Sequence, residues 1–422
     1  MPEPSSADSG KLKSSRKRIL IVGRRFWPHG GHAEAVHLTE LASGLHRLGY
    51  HVEVVTPRYA SHWPERFQFR EFAVHRPVAA PKSDWSVARY TRQLTQWLRT
   101  KCRSFDAIIV DCIREEAIAA IEATRRTACQ TILKFGSRDG VSDDQWWNQN
   151  RASRRCAAIG RMADHVIVTN ANQSRSLLTH HFDVARIKRI ENGFRSGPVQ
   201  NAVGKAAARK SLGQVNGDLL TDSDSIVLLT TDRMTRGGGV FTLVEAARLL
   251  MTKHPNLRIW FIGDGPARDK IYSTLRSDGI RAQIAMPGSF CDFDDLMMAA
   301  DVYIHSGDDG GASLLPIAIA SGLPIVARSS PANYEILGAA SADQCPEIAW
   351  YDSDKEYDLR KKISHLLRDR TASLQASEIL KRRLLRSRPE SRMLEQYDEL
   401  IQQQNPTTTQ TTKPDANRKA TG

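Results

Sequence analysis

The fold is decided by a stretch near the start of the chain, which reads RILIVGRRFWPHGGHAEAVHLTELASGLHRLGYHVEVVTP over residues 18–57. It begins with a short apolar run that ends in glycine, at 18–23, and continues with helical periodicity over 33–48. It ends in the β-rich run HVEVVTP, at 51–57. Short β-rich runs that alternate with helices are typical of parallel βαβ units. The stretch therefore predicts the first such unit of an α/β domain.

The same alternation continues along the chain and then begins again. Further strands of the first series are predicted at 106–112, 131–135 and 165–170. An Ala-, Gly- and Asp-bearing stretch at 199–223 predicts an interdomain linker with its first helix. The strands of the second series are predicted at 225–231, 257–263, 284–288, 302–307 and 324–328, with helices between them at 239–252, 266–278, 293–299 and from about 313. We therefore predict two successive doubly wound domains, with ligands at the carboxyl ends of their strands.

These patterns divide the chain into five segments. They are a disordered tail (1–17), an N-terminal Rossmann-like domain (18–198), a C-terminal Rossmann-like domain (199–380), a C-terminal helix that packs back on the first domain (381–404) and a second disordered tail (405–422). The helical pattern at the C-terminal end runs from about 372 to 404 as one long helix. Both tails are polar, so they bury too little apolar surface to offset the entropy of ordering.

Composition excludes some function classes. The 422 residues are 41% hydrophobic and carry a net charge of +13, which suits polyanions, anionic lipid headgroups or diphosphate ligands. Nucleic acid is not expected as a partner, because no basic–aromatic reader motif is present. No apolar run approaches the length of a membrane span, and the N-terminus has no apolar signal region, so a cytoplasmic protein is expected. The six scattered cysteines favour buried free thiols over a zinc site or disulfides.

Gly30 and Gly31 lie between the first predicted strand and helix. Glycines in such a loop allow backbone amides to approach an anion closely, although a plain turn uses glycine for the same conformational freedom. The segment is not the dinucleotide fingerprint, because no G-x-G-x-x-G follows the strand.

Six segments in a fixed order resemble family 4 glycosyltransferases. They are the Gly-Gly loop and helix of GGHAEAVHLTELASGLHRLGYHVEVVTP, HVIVTNANQSRSLL with IENG, LLTTDRMTRGGGVFTLVEAARLL, FIGDGPARDKI with MPGSF, AADVYIHSG, and IASGLPIVA. The resemblance implies a GT-B fold, in which two Rossmann-like doubly wound domains face a central cleft. It also implies that the first domain (18–198) binds the acceptor and the second (199–380) the nucleotide-sugar. It also implies a metal-independent hexosyltransferase that acts with retention, moving a sugar from a nucleotide diphosphate sugar, UDP- or GDP-linked, to a saccharide or lipid-linked acceptor in polysaccharide or glycoconjugate biosynthesis. No cofactor is expected, because the nucleotide-sugar is a substrate.

The resemblance also assigns positions that hold the nucleotide-sugar. The family's arginine in the loop that opens the second domain corresponds to Arg233, whereas its lysine corresponds to Gly238. Arg236 is two residues before that glycine and could reach the same phosphates, although an exposed surface charge is the plainer interpretation. The other implied positions are Gly30, Gly31, Gly265, Ser289, Phe290, Gly310, Gly311, Ala312, Ser313 and Leu314.

The family's paired glutamates fall at Asp309 and Ile317. The resemblance places the first near the transferred sugar and the second on the ribose hydroxyls. Asp309 could keep the first role with a shorter reach, but Ile317 has no hydrogen-bonding group for the second. The surrounding loop GDDGGASLL (307–315) keeps the features of an anion site, because its glycines permit close backbone approach and Ser313 is a good N-cap.

The family's catalytic-side histidine in the first domain is replaced by TILKFGSRDGVSDDQWW (131–147). Lys134 is expected to contact the sugar donor or the acceptor, and Asp143 or Asp144 the acceptor hydroxyls, whereas the alternative is an ordinary polar loop. The expected catalytic residues are therefore Asp309, Arg233 and Lys134. The histidines show no metal-ligand spacing, so no metal site is predicted.

Residues 86–103 form a predicted basic amphipathic helix, with an apolar stripe flanked by arginines and lysines. Such a helix either lies on an anionic membrane surface, as a peripheral protein at the inner membrane face would, or buries its stripe in the domain. Two functions therefore compete: the glycosyltransferase, and a non-catalytic glycosyltransferase-like binding or scaffolding subunit. Ile317 and Gly238 favour the second, whereas Arg233, Asp309 and the glycine-rich loop favour the first.

Overall fold

A computed structural model describes residues 17–27, 33–236, 239–288, 290, 293–352 and 355–403, apart from the side chain of Asp84. The strands of the first half are β1 (Arg18–Val22), β2 (His51–Val55), β3 (Arg66–Phe69), β4 (Phe72–His75), β5 (Ala107–Asp111), β6 (Gln130–Lys134), β7 (Ser137–Arg138), β8 (Val141–Ser142), β9 (His165–Val168) and β10 (Ile187–Arg189). Its helices are α1 (Ala33–Arg47), α2 (Asp84–Lys101), α3 (Glu115–Thr124), α4 (Asp143–Trp147), α5 (Arg151–Gly160) and α6 (Ala171–Thr179).

The first half forms one domain around an eight-stranded sheet in the order β10-β9-β6-β5-β1-β2-β4-β3. All neighbouring strands are parallel except the β3–β4 hairpin at the edge. Every residue of β5 is buried, as expected for a central strand that helices cover on both faces. β3 and β4 were not predicted, because each has only four residues and neither contains an apolar run as long as those of the central strands.

The second half forms another domain. Its helices are α7 (Ala202–Val215), α8 (Val240–Lys253), α9 (Arg268–Ser277), α10 (Phe293–Ala299), α11 (Leu315–Ala320), α12 (Pro331–Glu335) and α13 (Glu356–Arg368). Its strands are β11 (Ile226–Thr230), β12 (Leu257–Ile262), β13 (Ile284–Gly288), β14 (Val302–His305), β15 (Ile325–Arg328) and β16 (Ala349–Tyr351). They form a parallel sheet in the order β13-β12-β11-β14-β15-β16. This is the Rossmann strand order, whose ligand crevice opens where the order reverses, between β11 and β14. The predicted α/β fold with two Rossmann-like domains is confirmed.

The C-terminal segment differs from the single long helix predicted for 372–404. It consists of two helices, α14 (Arg370–Ser387) and α15 (Glu390–Gln402), separated at Pro389. The residue before a proline is disfavoured in the α conformation, so the helix ends there. Leu380 and Leu384 of α14 belong to the second-domain core, whereas α15 packs on the first domain. The return to the first domain therefore begins at about 390, and not at 381.

The chain crosses between the domains twice at neighbouring points. The Phe194 amide donates to the Arg388 carbonyl at 2.9 Å, and the Glu390 amide donates to the Phe194 carbonyl at the same distance. Gly193 lies in this crossing, where an added Cβ would stand 2.7 Å from the Pro389 carbonyl oxygen. The two crossing segments thus form a paired hinge beside the interdomain cleft.

The predicted amphipathic helix at 86–103 corresponds to α2. Its apolar stripe is inside the domain, because Tyr90, Leu94 and Leu98 are buried in the core that α3 also contributes to. The stripe is therefore not available to a membrane, although the basic residues Arg89, Arg92, Arg99, Lys101 and Arg103 are exposed. Among the described helices, none combines the length and apolar content that a membrane span requires. The described cysteines are free and buried, and Cys291 is outside the described residues.

Candidate functional site

A cleft of about 700 Å³ lies between the two domains. That volume falls in the range of small-molecule sites, roughly 300–1,000 Å³. Its walls are built from the segments that follow parallel strands: Asp111 and Lys134 at the ends of β5 and β6, and Thr231 and Ser306 just after β11 and β14. The site therefore occupies the crevice that doubly wound sheets provide at their carboxyl ends.

A buried charge network supports the second-domain wall. The Asp232 carboxylate accepts from His305 Nδ1 at 2.7 Å and from the Ser306 hydroxyl at 2.7 Å. Burial would raise the pKa of Asp232, but His305 and the Ser306 donors outweigh burial and hold that pKa below its usual range. Burial lowers the pKa of His305, but Asp232 outweighs it and the pKa is raised. The network ties the segment after β11 to the segment after β14.

The glycine-rich loop follows this network. Gly310 has φ +57°, and an added Cβ there would stand 2.5 Å from the Ala332 carbonyl oxygen, so only glycine fits. The Ser313 hydroxyl donates to the Gly310 carbonyl at 2.6 Å and accepts from the Leu315 amide at 3.2 Å, which fixes the turn into α11. Asp309 is exposed to the cleft, yet the surrounding protein desolvates its carboxyl and raises its pKa.

Two first-domain side chains touch this loop from across the cleft. His37 Nε2 lies 3.3 Å from the Ser313 carbonyl oxygen, and the Asn192 amide group lies 3.5 Å from the Gly311 carbonyl oxygen. Burial and the nearby Lys134 charge lower the pKa of His37 to about 3, so the ring is neutral at pH 7. The glycine-rich loop is therefore held between the domains.

The first-domain wall carries Lys134 beside two carboxyl groups. Lys134 and Asp111 are register partners at the ends of neighbouring strands, and Glu34 lies in the first turn of α1. Burial raises the pKa of Asp111, although Lys134 and Arg138 oppose it. Burial also raises the pKa of Glu34. This wall presents polar groups that suit the hydroxyls of a saccharide.

The β7–β8 hairpin carries Asp139 at its tip, into the cleft. The Asp139 carboxylate is paired both with Arg25, from the loop after β1, and with Arg233, from the second domain. Burial would raise the pKa of Asp139, but the two guanidinium groups lower it. The arginine that was predicted to hold a diphosphate thus holds a carboxylate across the cleft.

The structure brings together most of the predicted site residues. The cleft is lined by Lys134, Arg233, Arg236, Asp309, Ala312, Ser313 and Leu314. Gly265 has a backbone role, because an added Cβ would stand 2.3 Å from the Met234 carbonyl oxygen. Gly311 contacts Asn192, and Phe290 packs on the second-domain core. The remaining predicted residues, Gly30, Gly31, Gly238 and Ser289, are outside the described residues.

Ile317 does not line this cleft. It is half-buried against the second-domain core and lines a separate cavity of about 350 Å³, together with aromatic residues such as Trp27 and Phe194. Asp143 also differs from its predicted acceptor role. It is fully buried and accepts from the Ile113 and Gly136 amides and from Arg114, so it supports the loop. Asp144 is engaged by the Ser142 and Ser176 hydroxyls.

The sequence reading missed several polar residues at the cleft. They are Glu34, Asp111, Asp139, Asp232, Asp264 and Arg328. Asp111, Asp232 and Asp264 each stand at or just after the end of a parallel strand, a position that could have been used as a signal. Asp139 gave no such signal, because its place depends on a hairpin. In the part of the chain that the structure describes, no group of three or more metal-ligating side chains is arranged around an ion site.

Comparisons with known proteins follow the same division into halves. Residues 33–193 match the family described as the Glycosyl transferase 4-like domain. Residues 216–383 match the family described as Glycosyl transferases group 1. A curated relative, the lipopolysaccharide core biosynthesis glycosyltransferase LpsE of Rhizobium meliloti, is 26% identical over 111 residues. That match covers 26% of this chain and 32% of LpsE, about a third of the relative's length.

Solved structures share the fold over nearly the whole chain. Sucrose-phosphate synthase from Thermosynechococcus elongatus superposes with a TM-score of 0.64 at 16% identity, covering 91% of this chain and 98% of that one. HepE of Anabaena, in complex with UDP and glucose, gives a TM-score of 0.62 at 15% identity, covering 92% of this chain and 99% of that one. At these identities the likeness establishes the architecture.

Proposed function

The chain belongs to the family 4 glycosyltransferases of GT-B fold, and from that membership we propose that it transfers a sugar from a nucleotide diphosphate sugar to a saccharide or lipid-linked acceptor. The observation that carries the proposal is the interdomain cleft. It joins Arg233, Arg236 and residues 312–314 of the second domain to Lys134 of the first domain. A cleft of this kind can hold two substrates with their reacting atoms adjacent and exclude water from them.

The chemistry that we propose is cleavage of the bond between the anomeric carbon and the diphosphate oxygen and attack by an acceptor hydroxyl on that carbon, with retention. The hydroxyl proton passes to the departing diphosphate. Negative charge develops on the departing diphosphate as the bond breaks. Arg233 and Arg236 lie where they can stabilise that charge, and Lys134 adds a third positive group from the opposite wall. These cations support a metal-independent transfer. Asp309, exposed to the cleft, is proposed to contact the transferred sugar.

Several relatives support a more specific substrate proposal. HepE was solved with UDP and glucose, and LpsE acts in lipopolysaccharide core biosynthesis, as their names state. We propose a UDP- or GDP-linked hexose as the sugar source and a step in polysaccharide or glycoconjugate biosynthesis.

The exposed basic residues of α2, such as Arg92 and Arg99, support contact with an anionic membrane surface at the inner face, where lipid-linked acceptors are presented.

A specific observation also favours a second candidate, a non-catalytic binding or scaffolding subunit. Ile317 occupies the position at which the family carries its ribose-binding glutamate, and it faces another cavity. A protein without that contact would hold the nucleotide less firmly. Such a protein could still bind a partner through the surface of the same fold.

Turnover distinguishes the two candidates. Purified protein is incubated with UDP-glucose, UDP-N-acetylglucosamine or GDP-mannose, and release of the nucleoside diphosphate is followed with and without EDTA. The transferase predicts release that is indifferent to EDTA and abolished in Asp309→Ala. Nucleotide binding with no release from any sugar donor, even with a saccharide acceptor present, would favour the non-catalytic subunit. The matched control is Asp343→Ala, a substitution outside the cleft.

A further inference from the structure

The strongest unexplained feature of the cleft is a carboxylate held by two guanidinium groups from different domains. Asp139 of the first domain pairs with Arg25 of its own domain and with Arg233 of the second. Arg25 is not a lining residue of the cleft in this arrangement, although its guanidinium group donates to the Asp139 carboxylate. The Asp139 carboxylate is therefore an anion that one arginine from each domain binds.

The position of this carboxylate is fixed by the chain around it. Arg138 is buried and paired with Glu116 at 2.9 Å and with Glu115 at 3.4 Å, which holds one side of the hairpin. On the other side the buried Asp143 accepts from the Gly136 amide at 3.0 Å. Asp139 itself has φ +60°, a conformation that Asp and Asn tolerate better than other side chains. The hairpin is therefore held on both sides of Asp139, so displacement of the carboxylate requires rotation of the Asp139 side chain and not movement of the hairpin.

The Asp139–Arg233 ion pair is more exposed than the pairs that anchor the hairpin, whereas the Arg25 side chain is only 19% exposed. The side chains of Asp139 and Arg233 are 36% and 32% exposed, so water screens their attraction. A phosphate group offers more acceptor oxygens and more charge than a carboxylate to the same guanidinium donors. A diphosphate that enters the cleft would therefore compete first for Arg233, which lines the cleft, and would reach Arg25 when the Asp139 carboxylate turns away.

We propose that Arg25 and Arg233 form a phosphate site that spans the two domains, in which Asp139 occupies the place of the ligand and is displaced by the diphosphate of the sugar donor. The proposal rests on the proposed function and adds Arg25 as a phosphate-binding residue from the first domain. Because one arginine comes from each domain, the bound diphosphate would link the domains and favour the closed cleft.

A pair of variants tests the role of Arg25 apart from its hold on Asp139. UDP, GDP and ADP are titrated into the wild type, Asp139→Asn, and the double variant Arg25→Ala/Asp139→Asn. Asparagine keeps the shape and tolerates the backbone of Asp139 while removing the competing charge. We expect Asp139→Asn to bind the preferred nucleotide at least about fivefold more tightly, and the double variant to bind about tenfold more weakly than Asp139→Asn. Arg70→Ala, at a first-domain arginine outside the cleft, should match the wild type.

The outcomes separate this proposal from the proposed function. If the wild type and Asp139→Asn both bind none of the three nucleotides, the proposed function itself fails. If the wild type binds but Asp139→Asn does not bind more tightly, Asp139 does not compete with the ligand and the phosphate site is overturned. If the double variant binds nucleotide as tightly as Asp139→Asn does, Arg25 acts only by holding Asp139, and the proposed phosphate site is again overturned. Circular dichroism and thermal melting establish that each variant is folded.

Discussion

His305 Nδ1 lies 2.7 Å from Asp232 Oδ1, with the imidazole fully buried beneath the loop that carries Arg233. Asp232 raises the pKa of His305 despite burial, which favours the charged form of the imidazole. Neither residue belongs to the positions that the family resemblance assigns. The pair joins the segments after β11 and β14, and so it supports the side of the cleft proposed for nucleotide binding.

Removal of one partner of this pair should destabilise the second domain. Asp232→Ala leaves the imidazole buried without its carboxylate, and we expect the free energy of unfolding, measured in urea, to fall by about 3 kcal/mol.

His305 has a raised pKa, so its contribution to stability is fully present below about pH 6.5, its ordinary value, and is lost as pH rises through the raised value. Between pH 6 and pH 9, the free energy of unfolding measured in urea should therefore fall more in the wild type than in His305→Gln. Equal losses would contradict the charged pair.

His37 predicts the opposite pH dependence. Its folded-state pKa is lowered to about 3, so between that value and about 6.5 the unfolded chain binds a proton that the folded chain does not. Stability should fall as pH decreases through this window. The ring is only half-buried, so we expect a loss of about 1–2 kcal/mol at pH 4.5 relative to His37→Gln. Urea unfolding at pH 7 and pH 4.5 measures the difference, and parallel behaviour of the two proteins would refute the prediction.

A side chain at Gly265 should have a steric effect on the loop proposed to bind the nucleotide. An added Cβ would stand 2.3 Å from the Met234 carbonyl oxygen, so Gly265→Ala must displace the segment that carries Arg233. We expect a destabilisation of about 2 kcal/mol together with weaker nucleotide binding. Gly217→Ala is the matched control, because nothing lies within 4 Å of a Cβ there. Thermal melting and nucleotide titration of both variants test the difference; a Gly265→Ala protein that behaves like Gly217→Ala would count against it.

A glutamate at position 317, as in the family, should not restore contact with the ribose. Ile317 is half-buried against the second-domain core and lines the cavity with Trp27, away from the Arg233 cleft. Ile317→Glu should therefore cost about 1–2 kcal/mol of stability without tightening nucleotide binding. Ile317→Leu is the conservative control. Tighter binding of any nucleoside diphosphate by Ile317→Glu would show that this position does face the ligand.

The sequence predicts a helix or strand well where the element is buried and its bounds depend only on residues nearby in the chain. The predicted bounds of β13 and α10 agree with the structure, because β13 is a short apolar run that ends in glycine and α10 buries its apolar residues at helical spacing. The C-terminal helix was predicted as one element, since periodicity continues across Pro389 and only the packing partner changes. An amphipathic pattern reveals that a face is buried, but not against which domain.

The candidate site was predictable to a smaller extent. The resemblance located Arg233, Asp309 and the 310–314 loop, all of which reach the cleft except for Gly310 and Gly311 of the loop. It could not reveal that Asp139 pairs with Arg233, because the two residues are distant in sequence and meet only when the domains face each other. Nor could it reveal that Asp143 is a buried support, since that role depends on amides from Ile113 and Gly136.

The measurement that tests the central claim most directly is calorimetric titration of UDP, GDP and ADP against the wild type and Arg233→Ala, with and without EDTA. Arg233 lies in the cleft between the domains, where we propose that it holds the diphosphate. We predict saturable binding of one nucleotide, weakened about tenfold in Arg233→Ala and indifferent to EDTA. No binding of any of the three at millimolar concentration, by the wild type or by Asp139→Asn, would contradict a nucleotide-sugar site in this cleft.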